Sequence, residues 1–168
     1  MDFLFKENFK FENRTKHPAR YGKENGAYLF FTSSNVVNKY VDEYDFDGEY
    51  LIIGDGGTGN CKYFNGKFSA SDHNYVIASN NKFMGAKLCS YFLMKDNYKL
   101  LNDGFKGVGL KNVSKSYIDN IKIHFNDKYS QNEAVDDLDC ISNEIVISNK
   151  ILKEIDELVK SQFAKKVA

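Results

Sequence analysis

From residue 130 to Ala168 the chain contains neither glycine nor proline, and its apolar residues recur at helical spacing. Leu138, Ile141, Ile145, Leu152, Ile155 and Val159 fall on the a and d positions of a heptad. Ile151 and Leu158 widen that stripe at g, while Ser148 and Gln162 interrupt it at d. Ser130-Gln131-Asn132-Glu133 fits a capping box, in which the hydroxyl and the carboxylate each accept from the other's unpaired backbone N–H. A helix over 131–166 is about 54 Å long at 1.5 Å per residue. That exceeds the width expected of the preceding domain, so much of the helix should project, and its stripe then needs a partner. The alternative is a long core helix folded back on its own domain. Either way the chain divides at about 129, into a domain over 1–129 and a helix over 130–168.

The first part mixes short apolar runs with glycine-containing turns. Tyr50-Leu51-Ile52-Ile53 reads as a buried strand, and Asn74-Tyr75-Val76-Ile77-Ala78 as another. Lys62-Tyr63-Phe64 and Lys67-Phe68-Ser69 flank Asn65-Gly66, which predicts a hairpin about a type I′ turn. Phe83 to Met94 has helical spacing, and Ser114 is placed to cap a short helix, Lys115–Asn120, ahead of a strand Ile121–Phe125. No regular βαβ rhythm is present. The expected class is therefore α+β, a mixed or antiparallel sheet followed by a long helix of the coiled-coil type.

At 168 residues the chain is long enough for one domain with a proper core. It has no run of 18 apolar residues to span a bilayer, and Met1–Lys6 has no basic-then-apolar leader, so a cytoplasmic protein is expected. Cys61, Cys89 and Cys140 are odd in number and far apart, which fits reduced thiols rather than a disulfide framework or a zinc site. Net charge is zero but unevenly spread: residues 41–55 hold six acids and no base, and 56–130 hold eleven lysines against five aspartates. A neutral chain cannot hold nucleic acid tightly by counterion release, although its middle segment can present a local basic surface.

Gly54-Asp55-Gly56-Gly57-Thr58-Gly59 matches G-x-G-x-x-G after a strand, but no helical period follows it. Without a helix N-terminus the dinucleotide reading lacks its main feature, and a loop between strands, with Asp55 bonded within it, is expected instead. Ser71-Asp72-His73 has the residue types of a hydrolytic triad, yet neighbours along a chain do not form a relay. A turn with hydrogen-bonded Asp and His fits better. His17, His73 and His124 are scattered, and no Asp…Glu-x-Lys nuclease pattern occurs. A small nuclease using Asp55, Asp72 and His73 is the one enzymatic alternative.

Six blocks, in order, give the chain a family resemblance. They are Gly26-Ala27-Tyr28-Leu29-Phe30-Phe31-Thr32-Ser33-Ser34, Phe46 to Gly57, Gly66 to Val76, Gly107 to Ser114, Ile118 to Ile123, and Gln131 with the helix reaching Phe163. Together they resemble the target recognition domain and spacer helix of the specificity (S) subunits of type I restriction–modification enzymes. The family's prolines near the first block and before the Gln-led helix are missing, and Ser130 stands where the family has Glu. Typical S subunits hold two such domains and two helices, so this chain resembles a half subunit.

The resemblance implies a non-catalytic reader of one half of a bipartite site in double-stranded DNA. It implies docking to methyltransferase (M) subunits, with a restriction (R) subunit as a further partner. No cofactor is expected on this chain; S-adenosylmethionine and Mg/ATP belong to the partner subunits. Two copies pairing antiparallel through Leu138, Ile141, Ile145, Ile151, Leu152, Ile155, Leu158 and Val159 would form a homodimer reading an interrupted palindrome. Candidate DNA contacts are Thr32, Ser33, Ser34, Asn60, Lys62, Lys67, Ser71, His73, Lys106 and Lys111. Lys suits guanine O6/N7 and Asn suits adenine N6/N7, with Lys106 and Lys111 assigned to phosphate. Affinity is expected only once M subunits close around the duplex. A truncated S-like chain that competes for M subunits and alters or blocks recognition is the alternative.

Overall fold

The computed structural model describes residues 1–125 and 131–167, with side chains as far as Phe163. It falls into two units, Met1–Lys128 and Tyr129–Ala168. The first is built on a six-stranded sheet. Its strands, numbered along the whole chain after β1 (Asp2–Leu4), are β2 (Phe9–Phe11), β3 (Tyr28–Phe31), β4 (Tyr40–Val41), β5 (Phe46–Gly54), β6 (Cys61–Ala70) and β7 (Asn74–Ser79). The spatial order is β2-β7-β5-β6-β3-β4, antiparallel throughout except for the parallel pair β3–β6. Helix α1 (Ala86–Asn102) packs on β5 and β6, and its Leu88, Cys89 and Leu93 are buried. It is broken at Lys95–Tyr98, where Asp96, Asn97 and Tyr98 take φ of +50°, +60° and +59°.

The expected strand at 50–53 lies within the longer β5, but the expected hairpin at Asn65-Gly66 does not form. β6 runs straight through those residues, and Gly66 pairs with Gly48 in the β5 ladder. The two glycines adopt φ of +138° and +135°, a region open to residues without Cβ. They bend the ribbon instead of ending it. Phe64 and Phe68 have ring centroids 5.5 Å apart, and Phe46 and Tyr50 5.8 Å. Residues four apart on a straight strand would be separated by roughly 13 Å. The curled ribbon brings Phe68 onto Ile52, Phe31 and Val76 in one buried cluster. An Asn-Gly pair thus signalled a left-handed glycine correctly, while the cross-strand glycine decided that it makes a bend.

Phe83 and Met84 lie before the helix rather than in it. Their backbone N–H groups donate to the buried Asn8 Oδ1, at 2.7 and 3.3 Å, which holds them in a loop. Beyond α1 a short hairpin pairs β8 (Phe105–Lys106) with β9 (Asn112–Val113). Ser114 Oγ then accepts from Tyr117 N and caps α2 (Lys115–Asp119), as its position predicts, and β10 (Lys122–His124) returns to pair with β1.

In the second unit a single helix, α3, runs over Gln131–Val167, about 55 Å at the usual rise. Ser130 of the expected capping box lies outside the described residues. Ile141, Ile145, Ile151, Leu152, Ile155, Leu158 and Val159 are all exposed, and Leu138 is half-buried. Lys160 pairs with Asp156 at 2.6 Å along the polar side. The α+β class with a long C-terminal helix holds. Among the described residues, no helix is long and apolar enough to cross a membrane.

Candidate nucleic-acid interface

Three loops meet beside one end of the bent ribbon: 32–39 after β3, 55–60 between β5 and β6, and 107–111 between β8 and β9. The glycine-rich segment is the turn of the β5–β6 hairpin, as its lack of a following helix predicts. Its backbone is held by its neighbours. Gly57 N donates to Lys111 O at 3.0 Å, Val113 N donates to Asp55 O at 2.9 Å, and Gly59 N donates to Asn102 Oδ1 at 2.7 Å. A Cβ on Gly54 would sit 2.9 Å from Ser33 Cα, so only glycine lets the 32–39 loop lie this close.

Asn60 locks that approach. Its amide donates to Ser33 O at 3.0 Å and Thr58 O at 3.1 Å, and its Oδ1 accepts from Lys62 Nζ at 2.7 Å. The Lys62 ammonium also reaches within 3.5 Å of Thr32 O. Burial pushes the Lys62 amine down to about 8, because the partners named here are carbonyl dipoles rather than charges.

Asp55 does not bond within its loop as expected; it faces away from it. Oδ2 accepts from Arg14 Nη1 at 2.7 Å, and Oδ1 lies 3.1 Å from His73 Nδ1. Arg14 also donates to Asp72 O at 2.9 Å and stacks over the Tyr75 ring at 4.0 Å. The carboxylate therefore clips the glycine-rich loop to the 71–73 turn and to the N-terminal segment. Ser71 is buried, its Oγ accepting from Asn74 Nδ2 at 2.8 Å. Ser71, Asp72 and His73 make separate contacts and no relay. Among the described residues no group of three His, Cys, Asp or Glu side chains could hold a metal ion.

Of the sequence candidates, Thr32, Ser33, Ser34, Asn60, Lys62 and Lys111 lie on these loops or at their strand ends, Lys106 directly precedes the 107–111 loop, and His73 joins them through Asp55. Ser34, Lys106, Lys111 and His73 are exposed, and Thr32, Ser33 and Lys62 are half-buried. Asn60 and Ser71 are buried and spend their polar atoms on the fold, so they shape the loops and present little to a duplex. Lys67 lies elsewhere, pairing with Asp47 beside the ribbon's bend, with its ammonium over the Tyr44 ring at 4.6 Å. Hydrogen bonding to Tyr44 raises its pKa. Arg14, Asn102 and Asn112 join the cluster although none is a sequence candidate: Arg14 reaches it through Asp55, Asn102 through Gly59 and Asn112 by pairing with Gly56, contacts that only the tertiary fold makes.

Residues 3–157 match the family model described as the type I restriction modification DNA specificity domain. Two solved structures share the fold. One is a type I restriction–modification system S subunit from M. genitalium, with a TM-score of 0.72 at 14% identity, covering 85% of this chain and 39% of that one. The other is described as the structural basis underlying complex assembly and conformational transition of the type I R-M system. It has a TM-score of 0.70 at 13% identity, covering 95% of this chain and 42% of that one. The chain thus spans about two fifths of the length of each. No curated protein sequence matches it.

Proposed function

This chain belongs to the type I restriction modification DNA specificity domain family, and from that premise we propose that it is a non-catalytic DNA reader. In this reading its first unit recognises one half of an interrupted site, and α3 supplies the spacer. The observation that carries the proposal is the loop cluster: three loops cross-bonded through Asn60, Asp55 and the Gly57–Lys111 contact, with Ser34, His73, Lys106 and Lys111 left exposed. Cross-bonding of that kind fixes side chains against a groove before DNA arrives, which cuts the ordering cost of binding.

Lys106 and Lys111 are suited to phosphate, which positions a protein without reading sequence. Thr32, Ser33, Ser34 and Lys62 are suited to base edges, with Asn60 and Ser71 shaping the loops behind them. Lys67 stands outside this surface and would contact only flanking backbone. The apolar stripe of α3 would pair with a second copy, making a homodimer with the heptad residues at its seam. Each Leu or Ile side chain yields about 1.5–3 kcal/mol when fully buried. Methyltransferase subunits carrying S-adenosylmethionine, and a restriction subunit using Mg/ATP, would complete a cytoplasmic assembly.

The test is co-expression of the full chain with its cognate methyltransferase subunit, followed by size analysis and adenine methylation of random DNA. The proposal expects a complex with two copies of this chain and site-specific methylation. A complex that forms but methylates nothing supports the competing, decoy role instead. Failure to bind the methyltransferase, or metal-dependent cleavage by the isolated chain, overturns the proposal.

A further inference from the structure

The tip of the β8–β9 hairpin has an unusual make-up for a solvated loop. Gly107-Val108-Gly109-Leu110 carries no polar side chain, and Val108 and Leu110 are 107% and 83% exposed. They are the most exposed large apolar side chains of the first unit. The tip is tightly built: Gly107 and Gly109 take φ of +141° and +88°, and a Cβ on Gly107 would sit 2.3 Å from Leu110 O. Its stalk is anchored by the buried Phe105 and Val113. Val113 accepts a hydrogen bond from the Tyr75 hydroxyl at 3.2 Å. Two exposed lysines, Lys106 and Lys111, flank the tip on either side.

We propose that Val108 and Leu110 form an apolar wedge that inserts against a base step of the bound duplex, with Lys106 and Lys111 gripping the phosphates on either side. This rests on the DNA-reading proposal and deepens it. Aliphatic side chains cannot read the donor–acceptor pattern of base edges. They can displace stacked base faces, the role apolar wedges play in proteins that kink DNA. An apolar pocket on a protein partner would have to accommodate both ammonium groups beside it. A base step between two phosphate rows matches both chemistries at once. The 3.0 Å contact from Gly57 N to Lys111 O ties the wedge to the glycine-rich loop, so insertion and base reading would be set in one register.

The test uses the full chain assembled with its methyltransferase subunits, on duplexes carrying the site with 2-aminopurine at each purine position in turn. Omitting S-adenosylmethionine keeps the complex unreacted. Wild type should raise fluorescence severalfold at one step away from the methylated adenine. The V108S/L110S variant should lose that signal and about tenfold in affinity, with its thermal melt unchanged because both side chains are already in water. K106Q/K111Q should keep the signal at saturation while the slope of log K against log salt falls by roughly two. Fluorescence at the methylated adenine serves as a control that the variants leave intact. An unchanged signal and affinity in V108S/L110S would overturn the wedge. So would affinity loss on replacing thymine by uracil with no fluorescence rise, which identifies a methyl contact. A wild-type assembly with no site-specific binding overturns the DNA-reading proposal itself.

Discussion

Lys62 offers a sharp test because the fold holds its charge at a disadvantage. The ammonium donates to Asn60 Oδ1 at 2.7 Å, and burial lowers its pKa from 10.5 to about 8. At about 1.4 kcal/mol per tenfold change, that gap corresponds to ~3 kcal/mol. Solvent reaches part of the side chain, and screening reduces the figure to about 1–2 kcal/mol. The sign follows from linkage: between pH 8 and 10.5 the unfolded chain binds the proton that the folded chain has lost, so stability rises with pH. Below pH 8 the full penalty applies. Lys62→Met removes the titration but also leaves the buried Asn60 Oδ1 without this donor, a loss of ~1–3 kcal/mol that does not vary with pH. The stability of wild type relative to Lys62→Met should therefore grow by about 1–2 kcal/mol from pH 7 to pH 10.5. In melting temperature that is roughly 3–6 °C for a chain of this size. Thermal melts of both proteins across that range read it directly, and other titrating groups cancel in the difference. A gap that stays constant with pH would refute the buried-ammonium account.

Gly66→Ala should destabilise the first unit by about 1–3 kcal/mol, since φ of +138° strains any residue with a Cβ, although the nearest atom to that Cβ is an unobstructive 3.4 Å away. Urea unfolding measures it, and a neutral result would mean that the ribbon does not need its bend there. Asp55→Ala should cost about 1–2 kcal/mol, since Asp55 is buried but the Arg14 guanidinium it leaves is about a third exposed and keeps Asp72 O, and should weaken DNA binding in the proposed assembly more than Lys67→Ala does. Equal binding by the two variants would remove Asp55 from the organisation of the interface. If α3 forms the proposed homodimer seam, Leu152→Glu should leave the chain monomeric in sedimentation while the melt of the first unit stays unchanged; a dimer that persists in the variant would place the interface elsewhere.

The sequence showed some of this structure plainly. The heptad stripe and the absence of glycine and proline found α3, because helical period and breakers are local properties. Ser114 marked its helix for the same reason, since a cap is satisfied three residues away. Asn65-Gly66 misled because its meaning depended on Gly48, eighteen residues earlier, lying opposite in the ladder. Asp55 was legible as a loop carboxylate, but its partners Arg14 and His73 come from segments 41 and 18 residues distant. Asn60 read as a base contact because amides suit adenine; burial against Ser33 and Thr58 turned it into a lock between loops. The candidate surface was thus visible as a set of polar loops, while the division into exposed and buried members required the fold.

In the proposed reading this chain decides where adenine is methylated. Single-molecule sequencing of DNA from cells expressing the methyltransferase subunit with this chain, and without it, measures that directly. We expect an interrupted palindromic adenine motif, its half-sites about one helical turn apart, present only when the chain is expressed and abolished by Leu152→Glu. Methylation at the same sites without the chain, or a continuous asymmetric motif, would contradict a two-fold reader joined through α3.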